Sequence, residues 1–131
     1  MKAEARYAGL FGVVKDAEIR GVVVQGIAAG TDSSSGDAAG LVARTKGSTV
    51  TITECGSEVA VSGGNNGGGI LGKNASSSTV VTISACYNTG DISGKARAGG
   101  ISGGNTHEVN ISDCYNTGSI TGAGNYVAGI V

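Results

Sequence analysis

Apolar and polar residues alternate over short stretches of this chain, and each stretch breaks off at a glycine. In "TVTIT" Val50 and Ile52 share one side of an extended segment, and Thr51 and Thr53 share the other. "VVTIS" and "EVNIS" repeat the arrangement at residues 80–84 and 108–112. A period of two is the mark of a half-buried strand. No stretch shows the 3.6-residue period of an amphipathic helix, and the apolar runs are too short for a globular one.

The runs recur in register. Ile19, Ile52, Ile83 and Ile111 each stand three residues before an anchor, Val22, Cys55, Cys86 or Cys114. Six residues after each anchor comes an apolar residue, a small one and a glycine: "AAG" at Ala28, "VSG" at Val61, "ISG" at Ile92 and "ITG" at Ile120. A glycine–apolar signature then follows, "AGLVA" around Leu41, "GGILG" around Ile70, "GGISG" around Ile101 and "AGIV" around Ile130. An orphan "AGLFG" surrounds Leu10. The anchors are 33, 31 and 28 residues apart. A fixed period with variable spacers signals a repeat architecture.

Three short strands cannot bury a face alone, but stacked units pair each strand with its equivalents above and below. The expected fold is an all-β, parallel β-solenoid of about four coils of 28–33 residues, with three short strands per coil. Right-handed winding is expected from the hand of parallel crossovers. The antiparallel sandwich competes less well, because it does not require near-identical strands at one period. The whole chain reads as one repeat domain over 1–131: an incomplete coil at 1–16, then coils at about 17–49, 50–79, 80–108 and 109–131. The stretches "TDSSSGDAA", "GNNGG", "KARAG" and "AGNYVA" read as turns within coils; "RTKGST", "KNASSST" and "GNTHE" read as turns between them.

Composition sharpens this picture. There are 25 glycines, no proline, no tryptophan and one phenylalanine, so Val, Ile, Leu and Ala must form the core in thin regular layers. The net charge of -1 offers no field for nucleic acid. No apolar run approaches the roughly 20 residues of a membrane-spanning helix, so no membrane insertion is expected, and no signal peptide is visible.

The pattern GGI-x-G followed by I-x-x-CYNTG-x-I-x-G resembles the GLUG-motif repeats of bacterial surface proteins. "GLFG" at residues 9–12 fits the motif best, "GILG" and "GISG" are variants, and "GLVA" departs at its last position. The resemblance implies a cell-surface or secreted location and a role in adhesin-like proteins or beside the catalytic part of surface peptidases. It implies no catalytic, cofactor or metal residues, and none are expected.

Candidate chemistry concentrates in "CYNTG", present at 86–90 and again at 114–118. Valine at the first anchor and the lack of any C-x-x-C pair argue against a metal or nucleophile site. The cysteines are expected to stack, reduced, at a corner. Tyr87, Tyr115, Asn88 and Asn116 are the candidates for a glycan contact, weighed against a simple ladder of stacked like residues. His107 stands alone in a loop. The hydroxyl array of Thr51, Thr53, Thr82 and Ser84 is broken by Glu18 and Arg20 in the first coil, which weakens it as an ice-binding face. The function expected is a non-enzymatic stalk or binding surface, with glycans or surface proteins as partners and end-to-end self-association through open coil edges. The alternative is a fragment of a polysaccharide-active β-helix enzyme or a glycan-binding module.

Overall fold

The computed structural model describes residues 1–105, 107–124 and 126–131. Thr106 and Asn125, which fall in two of the expected turns, lie outside the described residues. The chain winds as a parallel β-solenoid of about four turns, and no helix occurs among the described residues. Four sheets run along its length. Sheet A stacks Lys2–Ala5, Val23–Gly30, Gly56–Gly63, Tyr87–Asn88 and Tyr115–Asn116, and Ile92–Gly94 and Ile120–Gly122 extend its last two rungs. Sheet B holds Tyr7–Ala8, Asp37–Ala39, Asn66–Gly68, Arg97–Gly99 and Tyr126–Ala128. Sheet C holds Phe11–Lys15, Val42–Lys46, Leu71–Asn74 and Ser102–Asn105, and sheet D holds Glu18–Arg20, Thr49–Thr53, Val80–Ser84 and Val109–Ser112.

The register is the one that the repeat dictates. Ile19, Ile52, Ile83 and Ile111 face one another through sheet D. Val23, Gly56, Tyr87 and Tyr115 do so one residue past the anchors. Because equivalent residues stack, the core is a set of apolar columns. Val50, Ile52, Val81, Ile83, Ile70, Ile101 and Ile92 are all essentially inaccessible. Polar Thr51, Thr53, Thr82 and Ser84 take the other face of sheet D and stay half-buried.

The three apolar runs of a coil are spread over four ladders, because the glycine–apolar signature marks a bend and not a strand centre. Leu41, Ile70 and Ile101 sit at that bend, between sheets B and C, and are fully buried. The stretches read as turns around Asp37, Asn66, Arg97 and Tyr126 therefore contain the strands of sheet B. Each is only three residues long and made of small or polar residues, so it carries no alternation to read. Pairing with the neighbouring coil defines it.

Both glycines of the signature have a steric task. A Cβ on Gly40, Gly69 or Gly100 would overlap the side chain of Ser57, Asn88 or Asn116, which points inward from sheet A. Two positions past each buried Leu or Ile, Gly72 and Gly103 lie against the backbone of sheet B: a Cβ on Gly72 would stand 3.1 Å from the Ala38 carbonyl oxygen. The first glycine makes room for the polar column, and the second lets sheets B and C approach.

The corner from sheet D to sheet A is left-handed in every full coil. Gly21, Glu54, Ala85 and Asp113 have φ of 67°, 54°, 52° and 52°. This conformation costs a residue with a Cβ about 1–2 kcal/mol, and three of the four coils accept that cost. The kink turns the following anchor side chain inward. Cys55, Cys86 and Cys114 are free thiols in one column. Each donates to the carbonyl two residues earlier, at 3.3 Å to Thr53, 3.2 Å to Ser84 and 3.1 Å to Ser112.

Gly69 and Gly129 occupy the same motif position, but nothing stands within 4 Å of a Cβ placed on Gly129. Gly69→Ala is expected to lower stability by about 1–3 kcal/mol through overpacking, and Gly129→Ala to stay within about 0.5 kcal/mol. Equal losses in urea unfolding would contradict the packing explanation.

Candidate functional site

The residues that the sequence singles out come together where the left-handed corner enters sheet A. Beyond Cys86, Tyr87 points outward and Asn88 inward, as successive strand residues must. The Tyr87 ring lies over Gly56, where any Cβ would overlap it. On its other side it stacks on Tyr115, with centroids 5.5 Å apart and planes 11° from parallel. Its hydroxyl donates to Glu58 Oε1 at 3.3 Å, and Glu58 Oε2 accepts from Gln25 Nε2 at 2.6 Å. Desolvation first, and then the Glu58 carboxylate, raise the pKa of the Tyr87 phenol.

This geometry limits what the tyrosines can do. Both faces of Tyr87 are occupied, by Gly56 and by Tyr115, so only its edge is open. Tyr115 is 55% exposed, and its face away from Tyr87 is open to a ligand ring. Of the pair, Tyr115 has the more exposed ring.

Of the two asparagines, Asn88 departs from the glycan expectation. Asn88 is fully buried, beyond the reach of an external sugar. Its amide nitrogen donates to the Gly90 carbonyl at 2.7 Å and to Asn116 Oδ1 at 2.7 Å. Asn116 is half-buried and repeats the bond, donating to the Gly118 carbonyl at 3.0 Å. Each amide closes the turn two residues on, and the Asn88–Asn116 bond links the two coils.

The cysteine column is apolar in character. The neighbouring Cys55 sulfur, and then burial, push the Cys86 thiol up, and burial does the same for Cys114. Cys86 and Cys114 therefore stay protonated at neutral pH, whereas the hydrogen bond with Cys86 draws the Cys55 thiol down to about 6. His107 is exposed. Among the described residues no group of three His, Cys, Asp or Glu side chains is placed to hold a metal ion.

The structure also shows a polar column that the turn reading hides. Along sheet B, Tyr7, Asp37, Asn66, Arg97 and Tyr126 stack in sequence. Asp37 is fully buried and held on both oxygens. Oδ2 accepts from Arg44 Nε at 2.6 Å, and Oδ1 accepts from Asn66 Nδ2 at 2.7 Å. The Arg44 guanidinium in turn lies 4.4 Å from the Tyr7 ring centroid. The one signal available in the sequence was position, since Asp37, Asn66, Arg97 and Tyr126 each stand four residues before the Leu or Ile of a glycine–apolar signature.

No family model, curated protein or solved structure matches the chain.

Asn88→Ala is expected to cost about 1–3 kcal/mol, because the Gly90 carbonyl loses its buried donor. Ser57, directly above Asn88 in the column, buries a hydroxyl that has no partner among the described residues. Ser57→Ala should therefore hold or raise stability, by up to about 1 kcal/mol. Urea unfolding of both variants checks the pair; loss on Ser57→Ala would show that the hydroxyl is satisfied.

Proposed function

We propose that this chain is a non-enzymatic repeat segment of a bacterial cell-surface or secreted protein, acting as a stalk or binding surface. The observation that carries the proposal is the stacking of equivalent positions in parallel register through successive coils. Such stacking makes a stiff, elongated unit whose outer faces repeat along the axis. Its conspicuous side chains serve that stacking: the cysteines fill a corner column and the asparagines close turns. The resemblance of "GLFG", "GILG" and "GISG" to GLUG-motif repeats points the same way. Open strand edges at the ends of the ladders add a further expectation, that copies of the chain associate end to end.

A glycan-binding role is the second reading, favoured by the open face of Tyr115. A polysaccharide-active enzyme is supported less. Hydrolysis needs two carboxylates facing each other across the scissile bond, whereas Glu58 is tied to Gln25 and Tyr87, and Asp91 Oδ1 accepts from the Ser119 backbone at 2.9 Å.

Incubation with a panel of neutral and acidic polysaccharides is expected to yield no new reducing ends and no unsaturated products. Turnover abolished by changing a single carboxylate would overturn the structural reading. On a glycan array, binding lost in Tyr115→Ala but kept in Asn88→Ala would support the glycan-binding reading.

A further inference from the structure

Charge is sorted unevenly around the solenoid, and sheet C holds the extreme. Its strands carry Lys15, Arg44, Lys46 and Lys73, four of the chain's nine basic residues, and none of its ten acidic ones. Val14, Thr45 and Asn74 are buried, so the cations next to them face outward. Lys15 stands in register with Lys46, and Arg44 with Lys73. Like charges directly opposite each other destabilise a sheet. Arg44 is neutralised by the buried Asp37. One coil on, the register puts Lys73 in the place of Arg44 but the neutral Asn66 in the place of Asp37. Asp16, beside Lys15, turns Oδ1 to the Ser48 and Thr49 amides at the corner into sheet D. No ion pair or side-chain hydrogen bond among the described residues holds Lys15, Lys46 or Lys73.

We propose that this outer face of sheet C binds a polyanion charged through phosphodiesters, a flexible polyol-phosphate chain lying across the coils. Lys15 and Lys46 are rooted about 4.8 Å apart, the strand spacing. Lys73, paired with Arg44 two residues before Lys46, is diagonal to Lys46 at about 7–8 Å. Three ammonium groups spread over a flat face match successive charges of one polymer better than a single anion. The one guanidinium of the face, the group whose fork fits a planar carboxylate, is already taken by Asp37. What remains are compact point charges, which suit a phosphodiester. Three contacts make too short a track for a duplex backbone, and the net charge of -1 adds no long-range field to gather nucleic acid. The face lies along the side of the solenoid, where coils added at either end would lengthen it without covering it. It is separate from the Tyr87–Tyr115 pair and does not rest on the stalk reading.

The test is calorimetric titration of the full chain with a short poly(glycerol phosphate), with inorganic phosphate, and with polygalacturonate and a single-stranded oligonucleotide of matched charge. The polyol phosphate is expected to bind, log K falling against log salt with a slope of about −2 for three contacts. The other three probes should bind more weakly, inorganic phosphate by about tenfold or more. Lys46→Gln and Lys73→Gln should each lose about two- to fivefold in affinity and flatten the salt slope. The triple variant Lys15→Gln, Lys46→Gln, Lys73→Gln should not bind. Lys95→Gln, exposed at the turn from sheet A to sheet B, removes the same charge and should change nothing. Urea unfolding verifies the fold of each variant, and the lysine variants on sheet C should be at least as stable as the parent because repulsion is relieved. No binding by the polyol phosphate, full affinity in the triple variant, or an equal loss in Lys95→Gln overturns the proposal. Equal or tighter binding of polygalacturonate or of the oligonucleotide overturns the polyol-phosphate assignment.

Discussion

Everything in this molecule depends on equivalent residues meeting one another at the spacing of paired strands, about 4.8 Å. The hydrogen bonds that define the four sheets run between coils and not within them. A side chain is therefore judged first by how it packs against its own counterpart one turn away. Isoleucine on isoleucine builds the core columns, and thiol over thiol fills a corner. Asparagine over asparagine ties two coils together, Asn88 Nδ2 donating to Asn116 Oδ1. The chain has almost no large aromatic residues to anchor a core, and this stacking is what lets small and β-branched side chains suffice.

The same constraint explains why the two halves of the repeat belong together. The inward column of Ser57, Asn88 and Asn116 occupies space that the first signature glycine vacates, 16 to 19 residues earlier in the chain. Enlarging either partner disturbs the other. The "GILG" and "CYNTG" signatures are two contact surfaces of one joint. That coupling runs between coils: Asn88 of the third coil packs on Gly69 of the second, and Asn116 of the fourth on Gly100 of the third. The second coil meets the need with Ser57, a smaller inward residue.

Most of the architecture was legible because it is written as repetition. The column of Ile19, Ile52, Ile83 and Ile111 and the anchors beside it could be aligned by eye, and that alignment is the strand register. The orientation of Asn88 was not legible. It depends on the left-handed residue before Cys86, and alanine at position 85 gives no hint of such a conformation. Sheet B was hidden for another reason. "NGG" and "RAG" have no preference of their own for an extended state, and only a partner strand supplies it. The buried Asp37–Arg44 pair was lost with them, since charged residues in a serine- and glycine-rich stretch look solvated.

The graded burial of the isoleucine column has a kinetic consequence. Ile52 and Ile83 are sealed, Ile19 is nearly so, and Ile111 is only half-buried. A lone coil must close a loop of about thirty residues before any rung forms, an entropic cost with little immediate return. The second and third coils, which cover each other, are where that cost is first offset. Folding then spreads outward one rung at a time, each new coil templated on a finished edge. Unfolding retraces the path, so the terminal rungs exchange their amide protons while the middle of the stack still holds.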